Sequence, residues 1–334
     1  MDGLIGEPLL VVLDLPDSTV RLTLVDALGQ EILANALGSP VSSERWIWSI
    51  PADMVRVPGL WRATVVGDLT RLVFDLMIGT VSPLALPLWD VVLGIASHYA
   101  EVVEGHVEEA GADWIRDSRL GIGADYSRGR FVVFHPEDSM ELGFVGRSVI
   151  QAGSDGTLTV AGAFPAVPRV GGRFALLPVP VSEVLRTLRI AVAEYGRLVR
   201  QQLVARDLEV SDGFVTVPRG ATHVVAVWSE GERIADSDWK TVPGRKVFVG
   251  DLETVTLQLL FPLVVPSQPL GYIDSEVTSL LAHAGMHLHS ARARGAGLDV
   301  DEHLRRMVAL GQLAEAQLPR LAGRVPHGAR EVIQ

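Results

Sequence analysis

The chain has 334 residues, 48% hydrophobic and 21% charged, so it holds enough apolar material for real cores and is not a disordered polymer. Its formal net charge of -11 argues against a protein that coats nucleic acid through a basic surface, though not against a rim that DNA passes. The absence of cysteine removes disulfides, thiolate zinc sites and cysteine nucleophiles together.

Asp2 and Glu7 stand where a secretory signal needs positive charge, so no signal peptide is expected. Residues 1–82 read as all-β. Val20, Leu22 and Leu24 alternate with Arg21 and Thr23, and Trp46, Trp48, Ile50 and Trp61, Ala63, Val65 repeat the period of two. Turn residues divide these runs at Pro16-Asp17-Ser18, Leu28-Gly29-Gln30, Pro58-Gly59 and Gly67-Asp68. Short strands at this spacing predict an immunoglobulin-like β-sandwich. The three tryptophans are read as core, with a sugar-stacking platform as the alternative.

The segment Ser82–Pro87 is the expected domain boundary, leaving residues 83–334 as an α+β assembly domain. The apolar stretch from Leu76 to Ala96 is broken by Pro83, Pro87 and Asp90, so no membrane span and a soluble chain are expected. A helix is predicted over 88–110. Leu88, Val92, Ile95, Tyr99, Val102, Val103 and His106 share one face, and Glu101, Glu104 and Glu108 lie opposite. β-Modules follow over 114–180, and a second helix over 182–206 carries Arg186, Arg189, Arg197 and Arg200 within about 80° of one another. Residues 208–264 return to strands. Two helices end the chain near 273–294 and 299–322, with Asp274 and Asp299 as N-cap candidates and Gly295 and Gly297 between them. The expected fold class is α+β, a β-sandwich followed by a helical bundle with inserted antiparallel β-modules.

Catalytic motifs are not apparent. The chain lacks GxxxxGK[ST], GxSxG and HExxH, and Gly121-Ile122-Gly123 lacks the third glycine of a dinucleotide fingerprint. His283 and His287 lie four apart on a predicted helix, with Glu276 on the same stripe. That arrangement suits one divalent metal, while packing between helices is the preferred reading. Asp236-Ser237-Asp238 before Trp239 is read as a polar hairpin turn rather than a calcium loop, and Glu137, Asp138 and Glu141 as a solvated loop. The opposite-signed glutamate and arginine stripes are either solvated faces or the two sides of a heterologous contact in a ring of identical subunits.

DSTVRLTLVDALGQEI, SIPADMVRVPGLWRATVVGD and FDLMIGTVSP resemble the immunoglobulin-like accessory domains of tailed-phage virion proteins, with Pro58-Gly59-Leu60-Trp61-Arg62-Ala63 as the strand entry. DGTLTVAGAFPAVPRVGGRFALLP resembles β-modules of phage neck and tail proteins, and VPRGATHVVAVW with DWKTVPGRKVFV continues that style toward head-to-tail connectors. The resemblance implies a non-enzymatic structural protein of the virion, made in the host cytoplasm. It would form a homo-oligomeric ring and contact portal, neck or tail proteins. The missing motifs, the interrupted apolar stretch and the net charge lead to the expectation of no cofactor, no membrane and no sequence-specific nucleic acid, though DNA would pass through such a ring. The alternatives are a metal-dependent hydrolase with an accessory β-sandwich, built on Glu276, His283 and His287, and a carbohydrate- or surface-binding module.

Overall fold

The computed structural model describes residues 2–40, 45–79, 86–120, 127–136, 138, 144, 146–164, 167–195, 200–266, 271–273, 277–293, 300–321 and 329–334. The fold is α+β, mostly β-sheet with four helices among the described residues: α1 (Leu88–Tyr99), α2 (Val181–Tyr195), α3 (Val277–Ala293) and α4 (Val300–Leu321). None of them is long and apolar enough to cross a membrane. The chain divides into two compact units, one made of 1–85, 196–274 and 321–334, the other of 86–195 and 275–320. These compact units are drawn differently from the expected domains 1–82 and 83–334.

In the first unit, residues 3–79 form two sheets. One runs in the order 3–4, 71–79, 59–67, 20–25, 31–37, with the 3–4 strand parallel to its neighbour and the rest antiparallel. The other runs 9–14, 45–50, 39–40. Alternation sends Leu9, Val11, Val20, Leu22, Leu24, Ile50, Ala63, Val65, Leu76 and Ile78 into one shared core. Trp46, Trp48 and Trp61 are buried there too, with the Trp48 and Trp61 indoles donating to the Ala36 and Val57 carbonyls at 3.0 and 2.8 Å. Their ring faces are not open to a sugar, which removes the stacking platform.

The same unit contains a third sheet, ordered 232–233, 223–229, 254–262, 200–211, 214–216, 246–248, 240–242. The chain's last residues join two of its parts. Arg330–Glu331 pairs with His223–Val224, and Arg245 donates its N–H to the Ile333 carbonyl at 2.9 Å. Asp236-Ser237-Asp238 forms a turn beside buried Trp239, on whose ring the Arg330 guanidinium stacks at 4.2 Å. Leu4 and Met77 pack into this second core, although they come from the N-terminal strands.

In the second unit, seven antiparallel strands run 103–106, 173–177, 131–134, 146–152, 157–160, 114–116, 109–110. Both edges belong to one run of chain. Val107 donates to the Gly172 carbonyl at 2.9 Å, and Glu108 donates to the Arg116 carbonyl at 2.8 Å, so the sheet closes on itself. Val107, Ile115, Val132, Val149, Leu158, Val160, Phe174 and Leu176 are buried together in its core.

This closure accounts for the first helix boundary. α1 begins after Pro87, buries Leu88, Val91, Val92 and Ile95 on one face, and stops where Ala100 turns extended. Val103, Gly105 and Val107 then follow a period of two, not 3.6, because 103–106 pairs with 173–176. The expected helix 88–110 is therefore twelve residues long. The expected helix 182–206 ends at Tyr195, and from Arg200 the chain pairs with 254–262 as a strand. α3 packs against both α1 and α2. Gly94 and Gly285 allow the close approach to α1: a Cβ on Gly285 would lie 2.9 Å from the His98 Cβ.

Candidate metal centre

α2 and α3 run antiparallel. At one end of the pair, Arg292 of α3 donates to Glu183 in the first turn of α2, at 2.7 Å. At the other end Glu194, one residue before α2 stops, reaches across to His283 and His287 of α3. The two histidines are one helical turn apart, so both rings stand on the same face. Their rings are 4.8 Å apart and nearly perpendicular, at 87°.

The three donor groups converge on a small volume. His283 Nε2 is hydrogen-bonded to Glu194 Oε2, and His287 Nε2 lies 2.9 Å from that same oxygen. The two Nε2 atoms are 3.3 Å apart. One donor atom from each side chain falls within 4.8 Å of the others. The imidazoles are 16% and 21% exposed and the carboxylate 50%, so the cluster sits at the edge of the helix pair with a path to water. The hydrogen bond from His283 holds the Glu194 carboxyl below the usual carboxylate range. Partial burial opposes this shift, and the His287 hydrogen bond reinforces it.

The sequence stripe had Glu276 as the carboxylate partner; Glu276 lies outside the described residues, and the carboxylate that meets the histidines is Glu194. The pair at 283 and 287 is visible as an i, i+4 spacing. Glu194 is 89 residues from His283 in the chain, and no local pattern links the two.

A second histidine cluster lies further along α3. His289 is wholly buried and 3.0 Å from His303 of α4, with Tyr99 stacked on both rings. Burial pushes the His289 pKa down, and does the same for His98. These side chains fill the interior of the helical layer.

The two charge stripes do not survive as helix faces. Glu101 follows the end of α1, Glu104 is on the 103–106 strand, and Glu108 accepts from the Ser118 N–H and hydroxyl at 3.0 and 2.7 Å. Arg186 and Arg189 are exposed on α2, Arg197 lies outside the described residues, and Arg200 opens a strand. Of the acidic loop, Asp138 is described, and it accepts from the Arg173 Nε at 3.1 Å. Glu137, Glu141, Gly121, Ile122, Gly123, Asp274, Gly295, Gly297 and Asp299 lie outside the described residues.

No family model matches the chain, and no curated protein matches it. Among solved structures it is similar to Escherichia coli alpha-2-macroglobulin activated by porcine elastase, at 10% identity and a TM-score of 0.20, over 81% of this chain and 29% of that one. The native conformation of the same Escherichia coli protein gives 10% identity and 0.20, over 78% and 20%. The chain thus spans under a third of these proteins, and at that TM-score the likeness adds nothing to the reading of the fold or the site.

Proposed function

We propose that the chain is a non-enzymatic structural protein of a tailed-phage particle, acting at the neck or elsewhere in the tail as one subunit of a homo-oligomeric ring. The tailed-phage part rests on the sequence resemblance, which also supports an immunoglobulin-like reading of the first two sheets, while the order of elements along the chain supports a helical bundle for α1–α4. The assembly part has a different support from the charge stripes. On α4, Val300, Leu304 and Val308 recur every four residues and are 40%, 42% and 53% exposed. Glu302, Arg305 and Arg306 form ion pairs beside them, at 3.6 and 2.7 Å.

An exposed apolar stripe with a polar margin is what a subunit contact uses, because burying it removes apolar area from water at about 25 cal/mol per Å². In this reading the stripe meets the next subunit, and the modular sheets hold neighbouring portal, neck or tail proteins in the virion. Sedimentation of the wild type and of a Leu304→Glu, Val308→Glu double variant tests it. The wild type should sediment as a defined oligomer and the variant as a smaller species with an unchanged circular dichroism spectrum. A wild type that is monomeric at all concentrations would remove the ring.

A second reading, a metal-dependent hydrolase with an accessory β-sandwich, is favoured by one observation: two imidazoles and a carboxylate converge with an open side toward solvent. Turnover of an activated ester that requires Zn(II) and is lost in His287→Ala would put it first.

A further inference from the structure

We propose that Glu194, His283 and His287 bind one divalent transition-metal ion of the zinc class, which fastens the end of α2 to the middle of α3. The inference is independent of the tailed-phage reading. Two imidazole nitrogens and one carboxylate oxygen are a borderline donor set, matched to zinc, cobalt and nickel rather than to the all-oxygen preference of calcium or magnesium.

The spacing fits an ion. Tetrahedral zinc with bonds of about 2.0–2.2 Å keeps its ligand atoms about 3.3–3.6 Å apart. The two Nε2 atoms are already 3.3 Å apart, and Glu194 Oε2, hydrogen-bonded to His283 and 2.9 Å from His287 Nε2, has to draw back from both rings, most from His283, to admit the ion. The hydrogen-bonded arrangement also has an internal conflict that an ion removes. Both Nε2 atoms address the same Glu194 oxygen, so both must carry their protons there, and two N–H groups then crowd each other across 3.3 Å. With a cation at the centre, each neutral imidazole carries its proton on Nδ1 and offers the Nε2 lone pair. No proton is gained or lost overall.

The position is suited to a clamp. The Arg292–Glu183 ion pair joins α2 and α3 at one end, and the metal joins them at the other. The partial exposure of all three side chains lets the ion enter and leaves the fourth ligand position to water.

The test uses the full-length chain, stripped with a chelator and titrated with Zn(II). Co(II) serves as a second probe, its visible absorption reporting tetrahedral nitrogen and oxygen coordination. One equivalent should bind per chain, and the unfolding temperature should climb with free zinc. Glu194→Gln, His283→Ala and His287→Ala should each weaken binding by at least about tenfold, the scale already reached when ligand-supporting groups are removed. Glu194→Gln keeps the size of the side chain, so it carries the decision if an alanine variant loses its fold. Binding of no zinc by the wild type at millimolar concentration overturns the proposal. So does a Glu194→Gln variant that binds with wild-type affinity.

Discussion

The Nδ1 atoms of His289 and His303 face each other across α3 and α4 at 3.0 Å, and a single proton lies between them. The hydrogen-bond pattern assigns it. His289 Nε2 is 3.0 Å from the His98 carbonyl oxygen, so that nitrogen donates and the His289 Nδ1 must accept, from His303. Tyr99 stacks on both rings, at 5.2 and 5.4 Å, and closes the space around them.

Removing the donor should therefore cost more than the loss of one contact. His303→Phe keeps a ring for Tyr99 to stack on but leaves a buried Nδ1 unsatisfied, which costs about 1–3 kcal/mol. Urea unfolding followed by helical circular dichroism should show this loss, and His303→Gln, whose amide can donate, should recover part of it. Equal midpoints for the wild type and His303→Phe would show that the proton assignment is wrong.

Asp117 gives an acid dependence. Its side chain is fully buried, which by itself would raise the carboxyl pKa. The Arg119 side chain at 2.6 and 2.9 Å, the His106 N–H at 2.8 Å and the Arg119 N–H at 3.1 Å outweigh that and hold it below the usual range. A depressed folded pKa means the unfolded chain binds the proton more readily. The stabilisation is thus complete above the unfolded value of about 3.9 and is lost as pH falls through the folded one. Acid titration of Asp117→Asn should show a shallower loss of stability below pH ~4 than the wild type, from a starting point about 1–3 kcal/mol lower at neutral pH.

The strands were legible where one period dominated. FVVF at 131–134, TLTV at 157–160 and RFALL at 173–177 are strands with those bounds, and the alternating tryptophans are core. The errors lie where two periods overlap. Val102, Val103 and His106 extend the stripe of α1 by helical spacing, but Val103, Gly105 and Val107 also alternate, and only pairing with 173–176 selects the strand. Likewise Leu203 falls on the apolar helical spacing of the expected helix 182–206, but Leu203 and Ala205 are both buried on the 200–211 strand, where partners from 254–262 decide the outcome. Two of the three members of the cluster are visible as the His283–His287 spacing. Glu194 reaches it only through the packing of α2 on α3, which no local pattern encodes.

Two glycines on facing helices should respond differently to the same change. Helix propensity alone favours alanine over glycine by about 1 kcal/mol. At Gly285 the new Cβ would lie 2.9 Å from the His98 Cβ and 3.2 Å from Leu310 Cδ1, and the first of these atoms is fixed to its backbone. At Gly94 it would lie 3.0 Å from Leu281 Cδ1, the movable end of a side chain. Gly285→Ala should destabilise by about 1–3 kcal/mol through overpacking, while Gly94→Ala should be near neutral. Thermal unfolding of both variants checks the contrast, and equal effects would mean that the α1–α3 approach is not set at Gly285.

The N-terminal sheets should depend on the strands that follow much later in the chain. Arg219 donates its N–H to the Ala27 carbonyl at 2.9 Å and accepts from the Leu60 N–H at 2.8 Å. Its guanidinium reaches the Leu60 carbonyl at 3.0 Å and Asp75 at 2.6 Å. Leu4 and Met77 are buried against the core of the 200–262 strands rather than among the N-terminal residues alone. A fragment covering residues 1–82 would expose those side chains and lose every bond to Arg219, so it should unfold at a lower urea concentration than the same segment in the full chain. Arg219→Ala in the full chain isolates the polar part. It leaves the backbone bonds in place, takes the guanidinium from the Leu60 carbonyl and from Asp75, which keeps Arg62 at 3.5 Å, and should cost about 1 kcal/mol because Asp75 is 41% exposed. Arg219→Lys can reach one of the two acceptors but cannot fork between them, so it should fall between the two. Amide exchange at Leu60 reads the site directly. If exchange there is unchanged in Arg219→Ala and the fragment is as stable as the full chain, the N-terminal sheets are an independent domain after all.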